Sequence, residues 1–238
     1  MKKWVLLTLF LYSVTLSAQE RITLLFVGDL MQHQAQIDAA RTPQGTYDYT
    51  PCFSLVGPQI QAADIAVGNL EVTLGGRPYT GYPAFSAPDE YLHAIRDAGF
   101  DVLLTANNHC LDRGQKGLER TLHLLDSLQI PSAGTYRDST DRHHRYPLLL
   151  QKKGFHIALL NYTYGTNGLR AKAPNLVNYL DRRQMLKDIH TARAWQPDVL
   201  IACLHWGNEY QQLPSREQQE LADWLFAQGV DHIIGSHP

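Results

Sequence analysis

The chain of 238 residues is poor in cysteine, with Cys52, Cys110 and Cys203 as its whole complement. An odd number of thiols closes at most one internal disulfide, so a disulfide-stapled scaffold is excluded and all three are expected as small buried groups. An excess of either charge is also lacking, since 21 Lys and Arg oppose 23 Asp and Glu. With no global basic field and no local basic patch, no nucleic-acid partner is expected, and an anionic substrate must be held by a few placed groups. The GxxxxGK[ST] phosphate loop and the GxSxG nucleophile elbow are both absent, which argues against a P-loop nucleotidase and a serine hydrolase. Internal repeats, charge blocks and low-complexity segments are missing too.

What is present begins with a leader-like segment. Lys2 and Lys3 precede an apolar stretch from Trp4 to Leu16, and Leu16-Ser17-Ala18 has the form of a cleavage site. Residues 1–19 therefore read as a secretory signal, too short for the roughly 20 apolar residues of a bilayer span. Export to the periplasm or cell surface is expected, with an uncleaved membrane tether as the alternative. A single domain over residues 20–238 follows.

Five short apolar runs each end in polar residues. Ile22–Val27 leads to Gly28-Asp29, Asp64–Val67 to Gly68-Asn69, and Phe100–Leu104 to Ala106-Asn107. Asp198–Leu204 leads to His205, and His232–Ile234 to Gly235-Ser236-His237. Amphipathic helical patterns lie between them at 88–98, 117–128, 182–195 and 215–228, the last opened by Ser215 with Gln218 three residues on. Strands alternating with helices predict a mainly parallel sheet with covered faces. Pro147–Gln151 and Phe155–Leu160, joined through Lys152-Lys153-Gly154, predict a hairpin, and with it a mixed or second sheet. Three irregular stretches, 43–53, 75–87 and 165–179, are expected to wall a site.

Ligands of open α/β sheets bind beyond the carboxyl ends of the strands. The residues gathered there are Asp29, Asn69, Glu71, Asn107, Asn108, His109, Asp112, His205, Glu209 and His237. Oxygen donors mixed with imidazoles suit a divalent ion such as Zn²⁺, Mn²⁺ or Fe²⁺. Taken singly, Asp29 and Asp112 also suit helix caps, His205 and His237 hydrogen-bonded core imidazoles, and Glu71 and Glu209 solvated positions. Five separated strands ending in ligand-type residues favour a shared site. His93, His123 and His190 fall on helical segments and His143-His144 in a charged loop, away from it.

These residues carry a family resemblance. FVGDLM at 26–31, GNLEVTL at 68–74, TANNHCLDRG at 105–114, LHWGNEY at 204–210 and GVDHIIGSHP at 229–238 resemble the poly-γ-glutamate capsule-synthesis (CapA-like) family, in order and over residues 22–238. That family is similar to the calcineurin-like metallophosphoesterases. The resemblance implies an α/β fold, a two-sheet sandwich with a mainly parallel sheet and helices outside, and a site for one or two divalent ions (Mn, Zn or Fe). By the same resemblance Asp29, Asn69, Glu71, Asn108, His205 and His237 are the implied metal ligands. His109 is the implied proton donor, with Asp112 beside it. Glu209, Tyr162, Tyr164 and Arg170 complete the set as candidate substrate contacts.

Three positions depart from the family's enzymatic relatives. Met31 stands where a histidine ligand is expected, Asn69 replaces a bridging aspartate, and the family pattern continues past Pro238, so the domain is expected to be C-terminally incomplete. The implied function is metal-dependent hydrolysis of a phosphoester or of a polyglutamate amide during capsule biosynthesis. The alternative is a non-catalytic accessory that binds the anionic polymer for a membrane capsule synthase complex.

Overall fold

A computed structural model describes residues 20–237; the leader-like segment 1–19 lies outside the described residues. The chain runs β1 (Leu24–Leu30), α1 (Gln34–Ala40), α2 (Thr50–Phe53), α3 (Gly57–Ala62), β2 (Ile65–Leu70), α4 (Asp89–Ala98), β3 (Val102–Leu104), α5 (Gly114–Ser127), β4 (Ser132–Ala133) and β5 (Thr135–Tyr136). It continues with α6 (Ser139–Arg145), β6 (Leu148–Lys152), β7 (Phe155–Thr163), β8 (Leu176–Val177), α7 (Arg182–Ala194), β9 (Val199–His205), α8 (Arg216–Ala227) and β10 (His232–Ser236).

Two four-stranded sheets form the body. The first has the order β1-β2-β3-β4 and is parallel throughout. The second has the order β10-β9-β7-β6, parallel except for the β6–β7 hairpin, whose Lys153 and Gly154 both take positive φ as a tight two-residue turn requires. A small antiparallel pair, β5–β8, lies beside them. Side-chain alternation along β2 shows how the layers are shared. Ile65 and Val67 join Leu104, Leu159 and Ile201 in one core cluster, while Ala66 and Leu70 join Leu92, Ile95 and Leu103 beneath α4. The outer face of the second sheet is covered by α7 and α8 through Met185, Ile189 and Leu225. This is the two-sheet α/β sandwich expected from the motifs.

Local signals account for the helix boundaries. Ser215 Oγ accepts from Gln218 N while Gln218 Oε1 accepts from Ser215 N, a reciprocal cap that starts α8. Asp138 accepts from Asp141 N at 2.8 Å and starts α6. His143 and His144 therefore sit on a helix, not in the expected loop. Its charges are paired, because Arg145 binds Asp141 one turn back on the same helix and Asp126 on α5. Strand β1 is only half-buried, unlike the doubly covered strand expected, because it is an edge strand of its sheet. Cys110 and Cys203 are buried as expected; Cys52 is exposed on α2, whose four residues present it outward.

Candidate metal centre

The carboxyl ends of β1, β2, β3, β9 and β10 meet at one place. Odd-numbered residues of β9 face the first sheet, so Cys203 enters the inter-sheet cluster and His205, next on that face, is brought against the end of β2. There His205 Nδ1 lies 3.1 Å from Asn69 Nδ2 and 3.7 Å from Asp29 Oδ1, while Nε2 lies 2.7 Å from Asn108 Oδ1 and 3.5 Å from Glu71 Oε1. Asp29 accepts from Asn69 Nδ2 at 2.6 Å and from the His237 backbone N–H at 3.1 Å, which ties β1 to the end of β10. Neither Asp29 nor Asp112 caps a helix: the residue before α1 is His33 and the one before α5 is Arg113.

Glu71, His205 and His237 offer ligand atoms that all lie within 4.8 Å of one another. The donor chemistry fits a borderline divalent cation, one carboxylate with two imidazoles and the Asn108 amide oxygen alongside. An independent sign is Glu71 Oε2, which is buried without a hydrogen-bond partner among the described residues. Burial, reinforced by the negative charge of Asp29, pushes the Glu71 carboxyl up to about 9. Burial holds His205 well below the ordinary imidazole range against the opposing pull of Asp29, and burial lowers His237 as well. Both imidazoles are thus neutral at pH 7, the form in which a ring nitrogen can donate to a metal. His205 Nε2 faces the Asn108 amide oxygen at 2.7 Å and donates to it, so Nδ1 is the accepting nitrogen, toward Asn69 Nδ2 at 3.1 Å and Ser236 Oγ at 3.0 Å.

A second constellation flanks the first. His109 Nδ1 is 2.7 Å from Asp112 Oδ2, which also accepts from Phe85 N at 2.8 Å, and the Phe85 ring packs edge-on to the imidazole at 4.5 Å. Both groups open on a cavity of about 710 Å³. Its walls include Tyr82 from the loop after β2, Tyr164 and Asn167 from the loop after β7, and Glu209 from the loop after β9. Glu209 Oε1 lies 4.0 Å from His237 Nδ1, and Tyr164 packs over His237 at 4.8 Å.

Two of the candidate contacts fall elsewhere. Tyr162 is fully buried and bonds to Asp188 Oδ2 at 2.9 Å beneath α7, because even-numbered residues of β7 face away from the first sheet. It cannot touch a ligand in the cavity. Arg170 is exposed on the loop after β7, but the cavity lining on that loop stops at Leu169. Of the three irregular stretches, those at 75–87 and 165–179 wall the cavity; that at 43–53 instead buries Tyr49 against Tyr91 on α4.

The sequence reading missed Asn167 and underused Asn107. Asn167 accepts from Asn108 Nδ2 at 3.2 Å, and its one sequence signal, Asn followed by Gly168, speaks only of a turn. Asn107 is fully buried and links the ends of β2 and β3.

Comparison with known proteins agrees with this architecture. The sequence matches the family described as bacterial capsule synthesis protein PGA_cap over residues 23–238. It is 28% identical to the capsule biosynthesis protein CapA of Bacillus anthracis, over 99% of this chain and 58% of that protein. It is also 28% identical to the PGA biosynthesis protein CapA of Bacillus subtilis strain 168, over 90% of this chain and 56% of that one. The chain thus spans somewhat over half the length of these curated relatives. Among solved structures, the calcineurin-like phosphoesterase YfkN of Bacillus subtilis superposes with a TM-score of 0.53 at 13% identity, covering 90% of this chain and 71% of that one. The match of the family model over residues 23–238 shows that the chain belongs to the bacterial capsule synthesis protein family PGA_cap, and its fold is that of the phosphoesterase.

Proposed function

We propose that this chain is a divalent-metal-dependent hydrolase acting on a phosphoester in capsule polymer biosynthesis, outside the cytoplasmic membrane. The observation that carries the reading is that the Glu71–His205–His237 cluster reaches, through His237, the same cavity that the His109–Asp112 pair lines. A divalent cation held by these residues would lower the pKa of a water and offset negative charge on phosphoryl oxygens. Manganese, zinc and iron all suit the nitrogen and oxygen donors.

The chain's own groups do the rest. Asp112 accepts the Nδ1 proton of His109, fixes the ring edge-on to Phe85, and leaves Nε2 to deliver a proton to the departing alkoxide oxygen. Asn108 is held by Asn167 with its amide oxygen toward His205. Tyr164 covers the imidazoles and shields them from bulk water.

Among the described residues, no Lys or Arg lines the cavity. A carboxylate polymer would have only a bound cation to hold it, which favours hydrolysis over polymer binding by the protein alone. The leader-like N-terminal segment supports the location.

The test uses the full chain: calorimetric titration with Mn²⁺ and Zn²⁺, and hydrolysis of p-nitrophenyl phosphate and its diester. Saturable binding, with turnover lost in His109→Ala, is expected. No metal binding, together with activity indifferent to that substitution, would overturn the proposal.

A further inference from the structure

We infer that the site holds one cation and not two, because the side-chain amide of Asn69, set by Asn107, closes the position beside Asp29. The inference rests on the metal-dependent reading above and specifies its stoichiometry.

The argument starts from an amide whose orientation two backbone groups dictate. Asn107 Oδ1 faces the His109 N–H at 3.1 Å and must accept; Asn107 Nδ2 faces the Leu70 carbonyl at 2.8 Å and must donate. The remaining Nδ2 hydrogen points to Asn69 Oδ1 at 3.2 Å. Asn69 therefore turns its oxygen to Asn107 and its NH₂ group to Asp29 Oδ1 at 2.6 Å, with His205 Nδ1 at 3.1 Å. Rotating the Asn69 amide would set its oxygen against the Asp29 carboxylate and its nitrogen against the Asn107 nitrogen. Neither side chain can escape to water, since Asn69 is 2% and Asn107 0% exposed.

A cation beside Asp29 would thus meet the positive end of an amide dipole. The other oxygen of Asp29 already accepts from the His237 N–H. Met31, two residues along β1's exit, offers no compensation. Its side chain packs with the apolar cluster under α4, and a thioether is a poor donor to a hard ion. On the other side of His205 the balance reverses, for Glu71 keeps a buried, unpartnered oxygen. Among the described residues of this cluster, Glu71 Oε2 is the buried oxygen left without a partner. With a single cation, charge on the leaving oxygen falls to His109 and not to a second metal.

Equilibrium dialysis of the full chain against excess Mn²⁺, followed by elemental analysis and electron paramagnetic resonance, reads the stoichiometry directly. One Mn²⁺ per chain with an uncoupled spectrum is expected. Asn69→Asp replaces the NH₂ group by a carboxylate oxygen and is expected to raise the count to two, with spin coupling between the ions. Two ions in the unaltered chain overturn the inference and leave the hydrolase reading standing; none overturns both. A count that stays at one in folded Asn69→Asp removes Asn69 as the cause. Should that variant fail to fold, the count in the unaltered chain still decides.

Discussion

Asn161 on β7 reaches across the sandwich, its Oδ1 accepting the Ala106 N–H at 2.8 Å and the Thr105 N–H at 3.2 Å. The same side chain donates to the Cys203 carbonyl at 3.2 Å, two residues before His205. One buried amide of the second sheet thereby fixes the segment that carries Asn107, Asn108 and His109 to the strand that carries His205. Gly134 has no side chain for the same reason, because a Cβ there would lie 2.2 Å from Asn161 Oδ1.

Asn161→Ala is expected to leave the Ala106 N–H buried without a partner, at a cost of about 1–3 kcal/mol. For a domain of this size that lowers the melting temperature by roughly 3–10 °C. Turnover should fall further than stability explains, since His109 loses its anchor. Calorimetric melting and steady-state kinetics on the same preparation check both.

Asp112→Asn and His109→Ala are expected to reduce kcat by about 10²–10⁴-fold, the usual contribution of positioned proton transfer. Mn²⁺ affinity should be unchanged in Asp112→Asn, because that carboxylate serves Phe85 N and His109 rather than the metal cluster. Titration calorimetry beside kinetics separates the two effects.

Glu71 gives the metal-free protein a pH signature. Its folded pKa of about 9 exceeds the ordinary 4.5, so above pH 4.5 the unfolded chain releases this proton first and folding stability declines toward pH 9. His205 is depressed, so its opposing contribution ends near its ordinary 6.5. Between about pH 6.5 and 9 the Glu71 effect acts alone among these two, worth about 1.4 kcal/mol per pH unit. Thermal melts in EDTA should fall over that window, Glu71→Gln should flatten the slope, and saturating Mn²⁺ should reverse it.

Cys110 and Cys203 are buried, and burial pushes both thiols up to about 12. Iodoacetamide at pH 8 is expected to modify Cys52 alone in the native protein and all three residues after denaturation. Intact mass spectrometry counts the adducts. Labelling of Cys203 in the folded state would contradict its placement between the sheets.

Much of this protein was legible from the chain. The short apolar runs and the 3.6-period helices located β2, β3, β9, β10 and α4, α5, α7, α8, because such patterns mark segments that the fold buries. Polar residues at the strand ends marked the site, since a parallel sheet brings those ends to one edge. The hairpin of β6 and β7 was equally plain in its Lys153-Gly154 turn. A resemblance in the same motifs supplied the family and the sandwich.

Other assignments depended on knowing which face met what. Tyr162 follows Asn161 by a single residue, yet points under α7 because α7 covers that side of the second sheet, a fact no local pattern contains. The Asp29–His237 contact joins positions 208 residues apart. The sequence by itself determined the main strands and the longer helices, the mainly parallel arrangement and the set of donors available. Only the tertiary structure decided which donors face one another and how Asn107 turns the Asn69 amide, because hydrogen-bond direction in a buried cluster is set by partners distant in the chain and not by neighbours along it.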